Sequence, residues 1–213
     1  MSILVTLEQI AQLAPNARSG YRDAFANGNP VLDEFEINET PNRVAYFMGQ
    51  ILHESAGFSI LYENLNYSAD RLPKVWPTRF QPQGPLDPAA YAHNAERFAN
   101  EVYAGRMGNT APGDGYKFRG RGLIQTTGKD GYSNATQIVR RNRPDAPDFT
   151  ADPDAVLSSQ WCLRVAAAEW FASGCNDLAD QGKIVAITRK INGGLIGLAE
   201  RKEWTRRTSF VWH

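Results

Sequence analysis

Apolar residues recur at helical spacing along most of the chain, and the polar breaks between them mark where helices stop. Leu7, Ile10 and Leu13 share one face of a predicted helix over 6–13, ended at Ala14-Pro15 because the residue before proline is driven out of the helical region. Tyr21 to Ala26 predicts a second helix, stopped by the turn-forming run Asn27-Gly28-Asn29-Pro30. Thr40 ahead of Pro41 reads as an N-cap and a first-turn proline. Behind them Val44, Phe47, Met48, Ile51 and Leu52 lay down the stripe of a core helix over about 41–55. Ala56-Gly57 ends it, with Gly57 suited to the left-handed conformation common just past a helix.

The middle of the chain has a different pattern. Pro73, Pro77, Pro82 and Pro85 remove too many amide donors between Tyr67 and Leu86 for long regular structure. Asp87-Pro88 predicts the start of a helix running through Val102, with Tyr91, Ala95, Phe98 and Val102 on one face. The glycine-rich run from Gly105 to Gly122 predicts loop and turn with room for a short hairpin. Helical spacing returns from Asp152-Pro153 to Gly174, with Val156, Leu157, Trp161, Leu163, Ala167 and Trp170 as core positions. It returns again from Lys183 to Ile191, where Asn192-Gly193-Gly194 breaks it, and from Leu198 to Phe210. No repeat or low-complexity tract interrupts the pattern. The prediction is a mainly α fold with a loop-rich middle, a single domain spanning residues 1–213.

Composition narrows the partners. With 42% hydrophobic and 22% charged residues the chain is of ordinary globular type, and its 23 basic residues cancel its 23 acidic ones. No global basic field draws it to nucleic acid. Arg201, Lys202, Arg206 and Arg207 cluster near the end, interspersed with Glu200 and Glu203, and read as a solvated helix face before they read as a contact for an anionic surface. The opening MSILVTLEQIAQLAP has neither a basic start nor a signal-like apolar core, and no stretch is apolar enough to span a bilayer. The expectation is a protein made in the cytosol without a signal peptide and with no stable membrane insertion. Cys162 and Cys175 read as buried free thiols, with a single disulfide left open. His53, His93 and His213 are too scattered for a metal centre, so neither metal nor cofactor is expected.

Candidate chemistry starts at His53-Glu54-Ser55-Ala56-Gly57-Phe58. A carboxylate at the end of an apolar helix, if partly desolvated, keeps its proton near neutral pH and can donate it to a leaving oxygen; a solvated helix end is the plainer alternative. Nine residues on, Glu63 stands in Tyr62-Glu63-Asn64-Leu65, and glycoside hydrolysis commonly uses two carboxyls, one as acid and one as base or nucleophile. A third segment, Gly120 to Gly128, brackets an arginine with glycines and leads into Gln125, Thr126 and Thr127, side chains suited to sugar hydroxyls and N-acetyl groups.

The blocks HESAGF, YENLNYSA, YAGRMGN, GDGYKFRGRGLIQTTG and INGGLIGLAERKEW, in that order over about residues 43–205, resemble the family 19 chitinase-like glycoside hydrolases and especially their bacteriophage endolysin branch. The resemblance implies a lysozyme-like, two-lobed α domain around a cleft. It implies Glu54 as general acid and Glu63 as general base, with Thr127 holding the attacking water. Gln125 and Asn192 become cleft-lining residues, His53 and Tyr132 further substrate contacts, and Arg201 a cleft arginine supporting the acidic pair. Gly131 stands where the family often has asparagine, and the long disulfide-containing insert of the plant enzymes is missing.

The function implied is inverting hydrolysis of the β-1,4 bonds of peptidoglycan glycan strands by a monomer acting on the wall in the periplasm, without a separate wall-binding domain. A chitinase, a lytic transglycosylase and a non-catalytic glycan-binding module are the alternatives.

Overall fold

The computed structural model describes residues 2–213, and among them no extended strand occurs. Twelve α-helices follow one another: α1 (Leu7–Leu13), α2 (Ser19–Ala26), α3 (Asn29–Glu34), α4 (Pro41–Glu54), α5 (Leu72–Val75), α6 (Ala95–Val102), α7 (Asp114–Lys117), α8 (Gly128–Asn142), α9 (Cys162–Ala172), α10 (Cys175–Asp180), α11 (Ile184–Asn192) and α12 (Leu198–Ser209). The fold is mainly α, as the apolar spacing predicts. Among the described residues no helix is long and apolar enough to cross a membrane.

Local signals start the helices where the sequence places them. Thr6 and Gln9 exchange hydrogen bonds in a capping box ahead of α1, and Thr40 accepts the Arg43 amide at 3.2 Å to open α4. α4 buries Val44, Phe47, Met48, Ile51 and Leu52 completely. Its end is abrupt. Ala56, Gly57 and Phe58 all take positive φ (49°, 67° and 62°), and the Gly57 amide donates back to the Leu52 carbonyl at 2.7 Å. Phe58 then drops into the core beside Tyr21 and Phe25, with ring centroids 6.1 and 5.4 Å away. Burial of Phe58 fixes the turn, and the turn leaves Glu54 at the helix rim.

Two hydrophobic clusters form. The larger joins α1–α4 to α8–α11, and the smaller gathers Leu65, Leu72, Phe80, Tyr91, Phe98, Ala99 and Val102 around α5 and α6. Gly49 lets α12 approach α4: a Cβ there would lie 2.6 Å from Thr205 Oγ1 and 2.9 Å from its Cα. One turn on, the Thr208 hydroxyl donates to the Ala45 carbonyl at 2.7 Å.

Several expectations need correction. The helix expected from Pro88 through Val102 is a 3-10 turn at Pro88–Ala90, a break at His93 (φ 53°), and a fresh start at α6, where Asn94 caps the Arg97 amide at 3.0 Å. The run from Pro153 to Gly174 likewise divides into a 3-10 turn at Pro153–Leu157 and α9. Asn29-Pro30 opens α3 instead of ending in a turn, because proline fits a helix's first turn. No hairpin forms between Gly105 and Gly122; Arg121 makes isolated bridges to Tyr62 and Thr126. The 15 residues of α8 are the largest element the apolar spacing does not predict. Cys162 and Cys175 are buried free thiols.

Candidate active site

Glu54, the last residue of α4, faces a cavity of about 400 Å³ whose lining includes Gln125, Thr126, Thr127, Asn134, Glu169 and Asn192. Its side chain is 14% exposed. Burial raises its pKa from the ordinary carboxylate value, while the charge and hydrogen bond of Arg201 act the other way. Arg201 is itself buried in α12; its Nη2 donates to Glu54 Oε1 and its Nη1 to Gln50 Oε1 at 2.6 Å. Gln50 lies one helical turn before Glu54. The guanidinium therefore clamps two successive turns of α4 and fixes the carboxyl from behind. Arg201 is thus buried behind the acid and no part of a solvated face; it supports Glu54, as the resemblance implies, without lining the cavity. Near it, the His53 ring packs on Gly197, where a Cβ would lie 2.5 Å from Nε2. Burial and then Arg201's charge lower the His53 pKa. His53 does not line the cavity that holds Glu54.

The opposite wall is the segment after α7. Gln125 has φ 54°, a left-handed conformation unusual outside glycine, and its Nε2 donates to the Gly122 carbonyl at 2.9 Å. Thr127 stands at the N-cap of α8, its hydroxyl donating to the Gln125 carbonyl at 2.7 Å. The loop at Gly105–Asn109 braces this wall. Asn109 Oδ1 accepts the Lys129 amide at 2.9 Å, and Gly128 has no room for a Cβ, which would lie 2.4 Å from Met107 Cβ. Met107 thereby enters the cavity.

Glu63 lies beyond that wall. Its carboxylate accepts the Gly120 amide at 2.6 Å and the Tyr103 hydroxyl at 2.7 Å, and it faces a groove lined by Tyr62, Asn64, Tyr116 and Arg119. Gly120 is where the two sides meet: a Cβ there would lie 3.1 Å from Gln125 Oε1, 3.1 Å from Thr127 Oγ1 and 3.3 Å from Glu63 Cβ. Glu54 and Glu63 thus flank the Gln125–Thr127 wall without lining one cavity. Asn192, at the end of α11, completes the rim beside Gly193, whose φ of 72° closes the helix.

One expected contact is overturned. Tyr132 is fully buried; its hydroxyl donates to the Arg119 carbonyl at 2.7 Å and accepts from Arg121 Nη1 at 2.9 Å, so it holds the glycine-rich segment and does not meet substrate. Its neighbour Gly131 lines the cavity instead. Two lining residues escape the sequence reading, Asn134 and Glu169. Glu169 is the only charged residue in the apolar run Val165–Phe171, and that isolation is the signal that marks it. Burial raises its pKa to about 7, opposed by a Thr126 hydrogen bond and reinforced by the charge of Glu54.

A second groove, lined by Tyr46, Ile184, Thr205 and Phe210, carries no carboxylate and no acid–base pair. Among the described residues no three His, Cys, Asp or Glu side chains gather in a metal-binding group.

The comparisons with known proteins meet this geometry. A glycosyl hydrolase family 19 domain-containing protein of Haemophilus influenzae is 40% identical over 159 residues, 74% of this chain and 74% of that protein. The chain belongs to glycosyl hydrolase family 19. No family model matches it. Among solved structures it is similar to a bacterial family 19 chitinase, with TM-score 0.63 and 16% identity over 99% of this chain and 95% of the other. Chitinase C from Streptomyces griseus gives TM-score 0.56 and 17% identity over 99% of this chain and 77% of that one. The protein is a glycoside hydrolase of the chitinase-like fold, and Glu54 sits in the one cavity described above that joins a carboxyl of raised pKa to amide and hydroxyl side chains.

Proposed function

We propose that this family 19 member is an endolysin-type hydrolase of the β-1,4 glycan of peptidoglycan, with Glu54 as general acid and Glu63 as general base. The observation that carries the reading is the largely buried carboxyl of Glu54, raised in pKa and clamped by Arg201, facing a cavity lined by Gln125, Thr127 and Asn192. The order of motifs over residues 43–205, resembling the endolysin branch, supports the choice of peptidoglycan.

In the step proposed, Glu54 gives its proton to the glycosidic oxygen as the bond to C1 breaks. Water held by Thr127 attacks C1 from the opposite face and loses its proton to Glu63. Each Glu63 oxygen accepts one hydrogen bond, from Gly120 or Tyr103, and keeps a further lone pair for that water. The catalytic unit is read as one domain whose two lobes follow the two hydrophobic clusters, working as a monomer on the periplasmic wall of the host after synthesis in its cytoplasm.

The test is digestion of purified peptidoglycan and of chitin oligomers by wild type and Glu54→Gln. Gln keeps the shape and removes the proton, so activity falls by roughly 100-fold or more while the fold survives. Near-normal clearing by a folded Glu54→Gln protein overturns the assignment. Mass spectrometry of the fragments identifies the bond cut. A second reading, hydrolysis of chitin, is favoured by the chitinases among the similar solved structures, and preferential cleavage of chitin oligomers would establish it.

A further inference from the structure

Glu169 has no part in that acid–base scheme, yet it lines the Glu54 cavity. It projects from α9, and its Oε1 accepts the hydroxyl of Thr126 at 2.8 Å. Thr126 is 4% exposed and lies between Gln125 and Thr127, with its backbone amide and carbonyl both paired to Arg121. The hydrogen bond therefore ties the wall carrying two candidate cleft residues to a helix of the main core. Among the described residues no cation comes within ion-pair distance of Glu169, whereas Glu54 has Arg201. A carboxyl in an apolar helix carries a desolvation cost, and one that also faces a cavity is a candidate functional group.

We infer that Glu169 is a positioning residue of this site: from the cavity that holds Glu54, its carboxyl anchors the Gln125–Thr127 wall through Thr126. The inference rests on reading Glu54 as the acid.

The groups facing Glu169 can be named element by element. Glu54 faces it from α4, with Arg201 of α12 behind; Arg141 of α8 and Lys190 of α11 line a second pocket that shares Glu169 and Asn134 with the first. Arg164, on another face of α9, pairs with Glu34 of α3. Burial raises the Glu169 pKa to about 7, against the Thr126 hydrogen bond and together with the charge of Glu54. Protonated or ionised, Glu169 keeps an acceptor oxygen for Thr126, so the anchor of the wall holds in both states.

The experiment is kcat and KM of the full chain on soluble glycan oligomers, comparing wild type, Glu169→Gln, Glu169→Ala, Thr126→Val and Glu54→Gln. Gln keeps an acceptor for the Thr126 hydroxyl, so Glu169→Gln retains most of the wild-type kcat. Ala removes the acceptor, and kcat falls by roughly tenfold with a smaller change in KM. Thr126→Val removes the donor from the other side and gives the same split, and it decides alone should Glu169→Ala fail to fold in a thermal melt. A Glu169→Gln as slow as Glu169→Ala overturns the inference, and so does full kcat in a folded Glu169→Ala or Thr126→Val. An active Glu54→Gln overturns the acid assignment. An inactive Glu54→Gln beside full kcat in Glu169→Ala overturns only the role of Glu169.

Discussion

At Glu54 two opposing influences act on one proton, since burial disfavours the carboxylate and the Arg201 guanidinium favours it. Replacing Arg201 by methionine keeps much of the volume and removes the countercharge. Glu54 and Gln50 both lose their donor in a buried place, so unfolding in urea should show a loss of about 3 kcal/mol near neutral pH, the scale of breaking a buried pair. The pKa of Glu54 then rises further, and the alkaline limb of activity moves to higher pH. A limb that moves downward would show that Arg201 does not stabilise the carboxylate. Glu54 stands out in the sequence as a carboxyl at the end of an apolar stripe, but the pattern leaves a solvated helix end equally open, and the reading as an acid comes from the resemblance of the HESAGF block. Tyr132 misleads because an aromatic beside a glycine-rich motif suits a ligand wall and a buried hydrogen-bonding post equally well, and only the positions of Arg119 and Arg121 choose the second. Glu169 passes unread as a site residue because its partner, Thr126, is 43 positions away.

The acid depends on how closely two helices pack. α4 and α12 meet at Gly49, where Thr205 occupies the space of a side chain, and this contact brings Arg201 to Glu54. Valine at position 49 would collide with the backbone of Thr205 as well as its hydroxyl, so the helices must separate. The expected outcome for Gly49→Val is a loss of roughly 1–3 kcal/mol in chemical denaturation, together with a drop in activity larger than that instability explains, because the guanidinium moves with α12. Full activity in the folded variant would show that the clamp tolerates displacement. Helices α4 and α11 are legible because each has an apolar stripe with a proline or glycine at a boundary, whereas α12 has no such stripe and turns Arg201, Thr205 and Thr208 inward. α8 is not legible: it opens with Gly128, carries Gly131 in its first turn, and buries Tyr132, Ala135, Ile138 and Val139 against neighbours distant in sequence. Tertiary packing supplies the helix that local propensity disfavours there. The break at His93 is hidden for a related reason, since the His93 amide is drawn to the Tyr67 carbonyl at 2.9 Å across the smaller cluster.

On the scale of the whole molecule, the two proposed catalytic carboxyls belong to different bodies of packing. Glu54 ends a helix of the larger cluster, while Glu63 is held by Gly120 and by Tyr103, which packs on the smaller cluster. Between them stands the Gln125–Thr127 wall, so a water held by Thr127 would approach the sugar from the side away from Glu54. Inverting glycosidases keep their carboxyls about 6.5–9.5 Å apart to admit such a water, and retaining enzymes keep them about 5–5.5 Å apart to form a covalent intermediate. Glu63 lines a different groove from Glu54, and the role of base proposed for it requires the wider separation. The sugar first released should therefore be the α-anomer, read by NMR of a fresh digest of a soluble glycan oligomer before mutarotation mixes the signals. Glu63→Gln should lower that rate by roughly 100-fold or more, the loss typical of removing a general base. A β-anomer would require a nucleophile close to Glu54, and a 1,6-anhydro end would mean that the sugar's own hydroxyl attacks in place of water. Either product would remove Glu63 from the role of base, whereas an α-anomer with a crippled Glu63→Gln enzyme would place the water between the two bodies.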